Sequence, residues 1–355
     1  MDKLINEQFM NIDYLNKVNI IMIYYGDSFY GGNIYENMIL KTFENDYNIC
    51  RYPIYTVKGK INSIVKIAKI HLLTGFMERI SKNSIIIKSM DMAFMPLRQL
   101  PASKSVVIVH HLDFTYDKYK KLYSTFCSLL YKNLNKSDMV IVVADYWQDF
   151  LIKKGLQNVR KIPNAFYPEE FVFTTKEIEA FQQRHDLLGK EIVYLGNYGP
   201  GKGVEEAYQA LKGLEVHFVT SGKVQNCPLP VRKLSLNYRD YQRLLRASHL
   251  AVTMSQFEEG WCRVAHEAML CRTPVLGSGR GGMAELLQGG KQIICRDFRD
   301  LRNRVEHLLG QSEERKKLGE DGYNFAKDFT FERFKTNWVK LIKDLSSANE
   351  KAPGV

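Results

Sequence analysis

The sequence predicts an α/β protein of two doubly wound domains facing across a cleft, and three observations carry that prediction. The chain has 355 residues, more than one hydrophobic core normally organises. Short runs of β-branched and apolar residues recur between stretches of helical spacing, as expected of parallel sheets covered on both faces. These runs fall into two sets, one in each half of the chain, each with the alternation of an open doubly wound sheet. An apolar content of 45%, with 12% aromatic residues, is enough to bury both. Disorder is expected only at the ends, as in the terminal SSANEKAPGV.

In chain order the first set reads VNIIMIYY, NICRYPIY, SIIIKSM, SVVIVHHL, DMVIVVAD and VRKIPN. The second reads EIVYLGNYG, EVHFVTSG, RKLSL, HLAVTMSQ, TPVLGSG and KQIICR. The seam between them is expected in NAFYPEEFVFTTKEIEAFQQ, a stretch of turn and charged residues. This divides the chain into residues 1–168, residues 169–330 and a last segment, 331–355. The last segment holds a helix from Phe331 to about Ser347 and a flexible tail. That helix is free to pack back on the first domain, although the sequence does not itself show this. An open sheet places its ligand beyond the carboxyl ends of its strands, so a site shared across the cleft is the natural expectation.

Composition narrows the function. The longest apolar runs, such as Val18 to Tyr25, fall well short of the roughly 20 residues a membrane-spanning helix needs. MDKLINEQFMNIDYLN carries acidic residues and does not read as a signal peptide. The six cysteines form no CxxC pair and have no histidine at metal-ligand spacing. They therefore read as reduced thiols in a cytoplasmic protein. The net charge of +11 is concentrated: residues 51–136 hold fifteen Lys/Arg against four Asp/Glu, an excess equal to the whole. A basic face on the first half would draw anionic lipid, polyanionic glycan or nucleic acid, or would simply be a solvated surface.

Three loops could carry chemistry. Gly31-Gly32, after the first strand, fits either a tight turn or a helix start whose N–H groups meet an anion. It lacks the GxGxxG pattern of a dinucleotide site. LGNYGPGKGVEEA brings glycines, a proline and Lys202 to a helix start at Val204, suited to a diphosphate with Lys202 as point charge. Val204 stands where the ATPase phosphate loop needs Ser or Thr for magnesium. In the third loop, EEGWCRVAHEAMLCR, Glu259 sits at the mouth and Glu267 about two turns into a helix whose inner face carries Val264, Ala268 and Cys271. Eight helical positions span about 12 Å, too far for a shared metal or a glycosidase pair. Each carboxylate suits a diol, one on a sugar and one on a ribose. The alternative for Glu259 is helix capping in a first turn.

The combination is more specific than its parts. EEGWCRVAHEAMLCRTPVLGSGRGGMAE resembles the signature of the retaining glycosyltransferases of family 4, also called glycosyl transferases group 1. The matching positions are Glu259-Gly260, Glu267-Ala268-Met269, Thr273-Pro274-Val275, and Gly281-Gly282 with Glu285. LGNYGPGKG, KIPNAF and VIVHHLD resemble the family's phosphate loop, interdomain segment and fourth-strand end. The resemblance covers about Asn19 to Phe334.

It implies the GT-B fold of two Rossmann-like domains. The N-terminal one takes the acceptor and the C-terminal one the nucleotide sugar, such as a UDP-sugar or GDP-sugar. It implies a retaining hexosyltransferase that needs no bound metal, because helix N-termini and basic side chains neutralise the leaving diphosphate. It places Glu259 on the donor sugar, Glu267 on the ribose, Lys202 on the diphosphate, Gly31-Gly32 in the N-domain glycine loop, and His110 at the reacting centre. With them, Asn197, Gly260, Trp261, Cys262 and Arg263 form the expected donor site.

Departures stand beside the match. Asn197 replaces the family's arginine, leaving Arg263, Arg280 or Lys223 to compensate. Trp261-Cys262 replaces Phe-Gly. Acceptors in such enzymes are often lipid-linked sugars or growing glycans. Lys58 to Asn83 reads as a basic amphipathic helix that either lies on an anionic membrane, which would place the protein peripherally at the inner face, or covers the sheet. Two rival readings remain: nucleic acid as the acceptor, suggested by FTYDKYKKLYSTF, and a non-catalytic nucleotide-sugar-binding protein.

Overall fold

The computed structural model describes residues 19–24, 31–53, 84–90, 93, 103–112, 120–222, 225 and 227–350. The segment Lys58 to Asn83, read above as amphipathic, and Lys223 lie outside the described residues. So do residues 351–355 of the expected tail.

The first sheet contains β1 (Asn19–Tyr24), β2 (Asn48–Pro53), β3 (Ser84–Ser89), β4 (Ser103–Val109), β5 (Met139–Val142) and β6 (Val159–Lys161). Their order is β2-β1-β3-β4-β5-β6 and every pairing is parallel. The second sheet contains β7 (Ile192–Tyr198), β8 (His217–Gly222), β9 (Arg232–Leu234), β10 (Leu250–Thr253), β11 (Val275–Gly277) and β12 (Ile293–Ile294). Its order is β12-β11-β10-β7-β8-β9, again parallel throughout. All twelve runs read as strands hold one.

Eleven helices are described: α1 (Gly31–Phe43), α2 (Lys120–Lys136), α3 (Asp145–Lys153), α4 (Thr175–Arg184), α5 (Val204–Leu211), α6 (Tyr238–Ala247), α7 (Arg263–Leu270), α8 (Gly282–Gly289), α9 (Phe298–Leu309), α10 (Ser312–Ala326) and α11 (Phe331–Glu350). None is long and apolar enough to cross a membrane. The continuous apolar strands are buried on both faces: Val140, Ile141 and Val142 in one sheet and Leu250, Ala251 and Val252 in the other are inaccessible to solvent. All six cysteines are free thiols.

The chain passes twice between the sheets, and the two passages hold each other. The Phe166 amide donates to the Phe329 carbonyl at 2.9 Å, and the Phe331 amide donates to the Phe166 carbonyl at 3.1 Å. Helix α4 opens just beyond the first passage with a capping box of Thr174 and Glu177. After the second passage, α11 lies on α1. Phe334 meets Tyr35 edge to face at 5.1 Å, and the fully buried Trp338 stands 6.5 Å from the Phe43 ring. The helix reaches Glu350, three residues beyond the expected end at Ser347.

Candidate active site

The site lies where the ends of β4, β7 and β10 meet. Strand β7 leads through Tyr198 into the loop that carries Lys202 and then into α5. Gly203, the residue before α5, has a left-handed φ of 69°. A Cβ there would collide with the Met254 carbonyl, so only glycine lets the loop settle against the end of β10. The Gln256 amide donates to the Gly201 carbonyl at 2.7 Å and joins the two loops.

Lys202 Nζ stands 2.7 Å from Glu259 Oε1 and 4.6 Å above the Phe257 ring. The Ser255 hydroxyl donates to the same carboxylate oxygen at 2.5 Å. Glu259 is only 7% exposed. The diphosphate lysine and the sugar carboxylate, expected to meet a ligand separately, are thus paired with each other. The capping alternative for Glu259 does not hold, because α7 starts four residues later, with Cys262 ahead of it.

Across the cleft, His110 directly follows the end of β4 at Val109. The carbonyl of His110 would lie 2.5 Å from any Cβ at Gly260, so that glycine admits the close approach of the two domains. The His110 ring meets Tyr35 edge to face at 5.2 Å and lies against Gly32. Its Nε2 is buried with no hydrogen-bond partner among the described residues. Burial, with His111 alongside, depresses its pKa to about 3, so the imidazole is neutral at physiological pH. A neutral ring can donate or accept one hydrogen bond at Nε2, but it is no cation. His111 faces Phe257 at 5.8 Å.

Glu267 lies in α7 and is 4% exposed. Oε1 accepts from the Tyr238 hydroxyl and from Arg263 Nη2, each at 3.2 Å, and Oε2 accepts from the Tyr241 hydroxyl at 3.1 Å. Burial raises its pKa, while Arg263 and the tyrosine hydroxyls pull it down. The expected one-sided helix is a buried one: Ala265 through Leu270 are all inside. No local pattern marks Tyr238 and Tyr241, which arrive from α6, a helix of a different strand crossing.

The departures from the signature acquire physical meaning. Asn197 Oδ1 accepts from the Tyr194 hydroxyl at 2.8 Å and the Ser221 hydroxyl at 2.6 Å. It follows a register shift between Tyr194 and Asn197 in the β7 and β8 pairing. Trp261, expected at the donor, turns its indole inward and donates to His266 Nδ1 at 3.0 Å. Cys262 has φ 61° and ψ 72°, a conformation that glycine adopts without cost. Burial pushes its thiol up to about 12, which leaves it protonated and without nucleophilic character.

Arg263 is not free to replace the family's arginine. Its guanidinium lies 4.2 Å over Phe166, donates to Asn164 Oδ1 at 3.3 Å, and pairs with Glu267. Arg280 is exposed, and its Nη1 donates to the Gln256 carbonyl at 2.9 Å. It therefore sits one residue from the Lys202 loop. Glu285, matched in the signature, joins the domains: Oε2 accepts from the Asp145 amide and Oε1 from Lys161 Nζ, both at 2.7 Å. Among the described residues, no group of three or more His, Cys, Asp or Glu is arranged to hold a metal.

Two parallel six-stranded sheets with a site at their facing ends define the GT-B class. Residues 175–325 match the family model described as glycosyl transferases group 1. Spore coat protein SA of Bacillus subtilis is 24% identical over 72% of this chain and 74% of its own. An uncharacterized glycosyltransferase of Methanocaldococcus jannaschii is 27% identical over 43% of this chain and 48% of its own. These matches support glycosyltransferase activity of group 1. Among solved structures, Anabaena HepE in complex with UDP and glucose superposes with a TM-score of 0.73 at 15% identity, covering 92% of this chain and 100% of that one. Sucrose-phosphate synthase from Thermosynechococcus elongatus gives 0.76 at 16% identity, covering 94% and 100%. At these identities the superpositions establish the fold.

Proposed function

We propose that the protein transfers a hexose from a nucleoside diphosphate sugar to an acceptor hydroxyl, with retention and without a bound metal. The observation that carries this reading is the meeting of Lys202, Glu259 and Ser255 at the ends of β7 and β10, opposite His110. Lys202 and the amides at the start of α5 are suited to the leaving diphosphate. Glu259 orients the donor sugar and Glu267 takes the ribose diol. The neutral His110 offers Nε2 to a sugar hydroxyl. HepE binds UDP and glucose at this fold, which favours a uridine nucleotide here.

Retention, metal independence and an acceptor that is a lipid-linked or growing glycan rest on the signature resemblance. Contact with an anionic membrane surface belongs to the same proposal and is read by liposome flotation. A thermal-shift panel of UDP-, GDP-, ADP- and dTDP-sugars tests the donor. A ligand at 100 times its dissociation constant should add about 2.7 kcal/mol of stability. No shift with any nucleotide sugar would overturn the reading. Glu259→Ala should stay folded and lose transfer, whereas a binding protein would show no turnover before the substitution either.

A further inference from the structure

We propose that the Lys202–Glu259 pair makes the donor site discriminate against a nucleoside diphosphate that carries no sugar. This rests on the donor reading above and adds to it a means of distinguishing donor from spent product.

Glu259 is nearly buried and draws on two side chains, the Lys202 ammonium and the Ser255 hydroxyl. Lys202 is the more exposed partner, with 39% of its side chain accessible against 9% for Glu259. It is also the group that an incoming diphosphate draws away. Once it leaves, a buried carboxylate keeps a single hydroxyl donor, and a buried charge stripped of its partner is unfavourable. The sugar of an intact donor cures this, since its hydroxyls donate where the ammonium had been. A bare nucleoside diphosphate cannot. The intact donor therefore satisfies both members of the pair, and the product of transfer satisfies only Lys202. As the sugar departs, Glu259 regains its hold on Lys202 and loosens the diphosphate.

The pair makes opposite predictions for its two supports, which separates it from a simple loss of contacts. Glu259→Gln removes the charge that competes for Lys202. Among UDP, GDP, ADP and dTDP, the diphosphate that binds the wild type best should bind this variant about three- to fivefold more tightly, the scale of a half-exposed ion pair. Its nucleotide sugar should show no such gain. Ser255→Ala leaves Glu259 more dependent on Lys202, so the same diphosphate should bind about threefold more weakly. Calorimetric titration of both variants, each first confirmed folded by its melting curve, reads these changes. Equal or weaker diphosphate binding by Glu259→Gln overturns the proposal, as does unchanged binding by Ser255→Ala. If no diphosphate and no nucleotide sugar binds the wild type, the donor reading itself fails and this inference falls with it. If both bind and the affinities of the variants do not diverge, only the inference fails.

Discussion

His266 lies flat on Phe166, ring centroids 3.9 Å apart and planes 15° from parallel, and so ties the helix of Glu267 to the first interdomain passage. Its two nitrogens complete the tie. Nδ1 accepts from the Trp261 indole and Nε2 donates to the Ala326 carbonyl at 3.1 Å, just before the second passage. Phe329 closes the other side edge to face at 5.0 Å.

This arrangement requires a neutral ring, because Nδ1 must accept. Burial depresses the His266 pKa to about 3 from 6.5. The folded pKa lies below the unfolded one, so the unfolded chain binds the extra proton first. Stability from this residue is therefore complete above pH 6.5 and is lost as pH falls toward 3. His266→Phe keeps the stack but strands the indole N–H, while the Ala326 carbonyl keeps the Phe329 amide as its other donor. It should destabilise the protein by about 1–3 kcal/mol at pH 7.5. The difference from wild type should then shrink by about 2 kcal/mol at pH 5, since the variant has no proton to gain. Urea midpoints at the two pH values measure it, and a gap independent of pH would contradict the neutral-ring assignment.

Gly260→Ala tests the close approach of the domains. A methyl group 2.5 Å from the His110 carbonyl cannot be accommodated by rotating a side chain, because the obstacle is backbone. The domains must separate locally or the strand end must shift. A loss of at least about 2 kcal/mol is expected, in the range of overpacking, together with weakened nucleotide-sugar binding. An unaltered melting temperature and donor affinity would show that the cleft is wider than described.

Cys262 holds a left-handed conformation that costs a non-glycine residue about 1–3 kcal/mol. Cys262→Gly relieves that strain and gives up buried sulfur contacts and unfolded-state entropy in return, so stability should change by less than about 1 kcal/mol. Cys262→Val, with its branched Cβ, should cost more than about 2 kcal/mol. Chemical denaturation separates them, and equal losses would place the constraint in packing rather than in φ.

Much of this site was legible because its parts lie close together in the chain. Strand boundaries follow runs of apolar residues, and Glu259, Gly260 and Glu267 fall within one loop and helix. What the sequence hid is long-range. Tyr238 and Tyr241 reach Glu267 across 29 and 26 residues, and His266 meets Ala326 across 60. No local period marks such pairs. Trp261 has a partner that its place in the signature does not announce: its indole finds a buried acceptor five residues on. The helical spacing of α7 suggested one inner face of Val264, Ala268 and Cys271, which leaves out His266 and Glu267. Both are inside, each satisfied by partners from distant segments.

The exchange of the family's arginine for Asn197 yields the remaining prediction. Asn197 spends its carbonyl oxygen on Tyr194 and Ser221, and Arg263 is committed to Glu267 and the linker. Arg280 is the exposed cation tied to the Lys202 loop, through Gln256 and Gly201. If it supplies the second positive charge to the diphosphate, Arg280→Ala should weaken nucleoside diphosphate binding about five- to tenfold, equivalent to about 1–1.4 kcal/mol. The loss should shrink in high salt, since an exposed charge is screened. The stability of the free protein should change by less than about 0.5 kcal/mol, because the side chain makes no buried contact. Titrations at about 0.05 and 0.5 M salt, where the Debye length is roughly 14 and 4 Å, distinguish this from a structural effect. Weakening that persists undiminished at high salt would assign Arg280 to shaping the Gln256 loop and leave Lys202 as the diphosphate's main counter-charge.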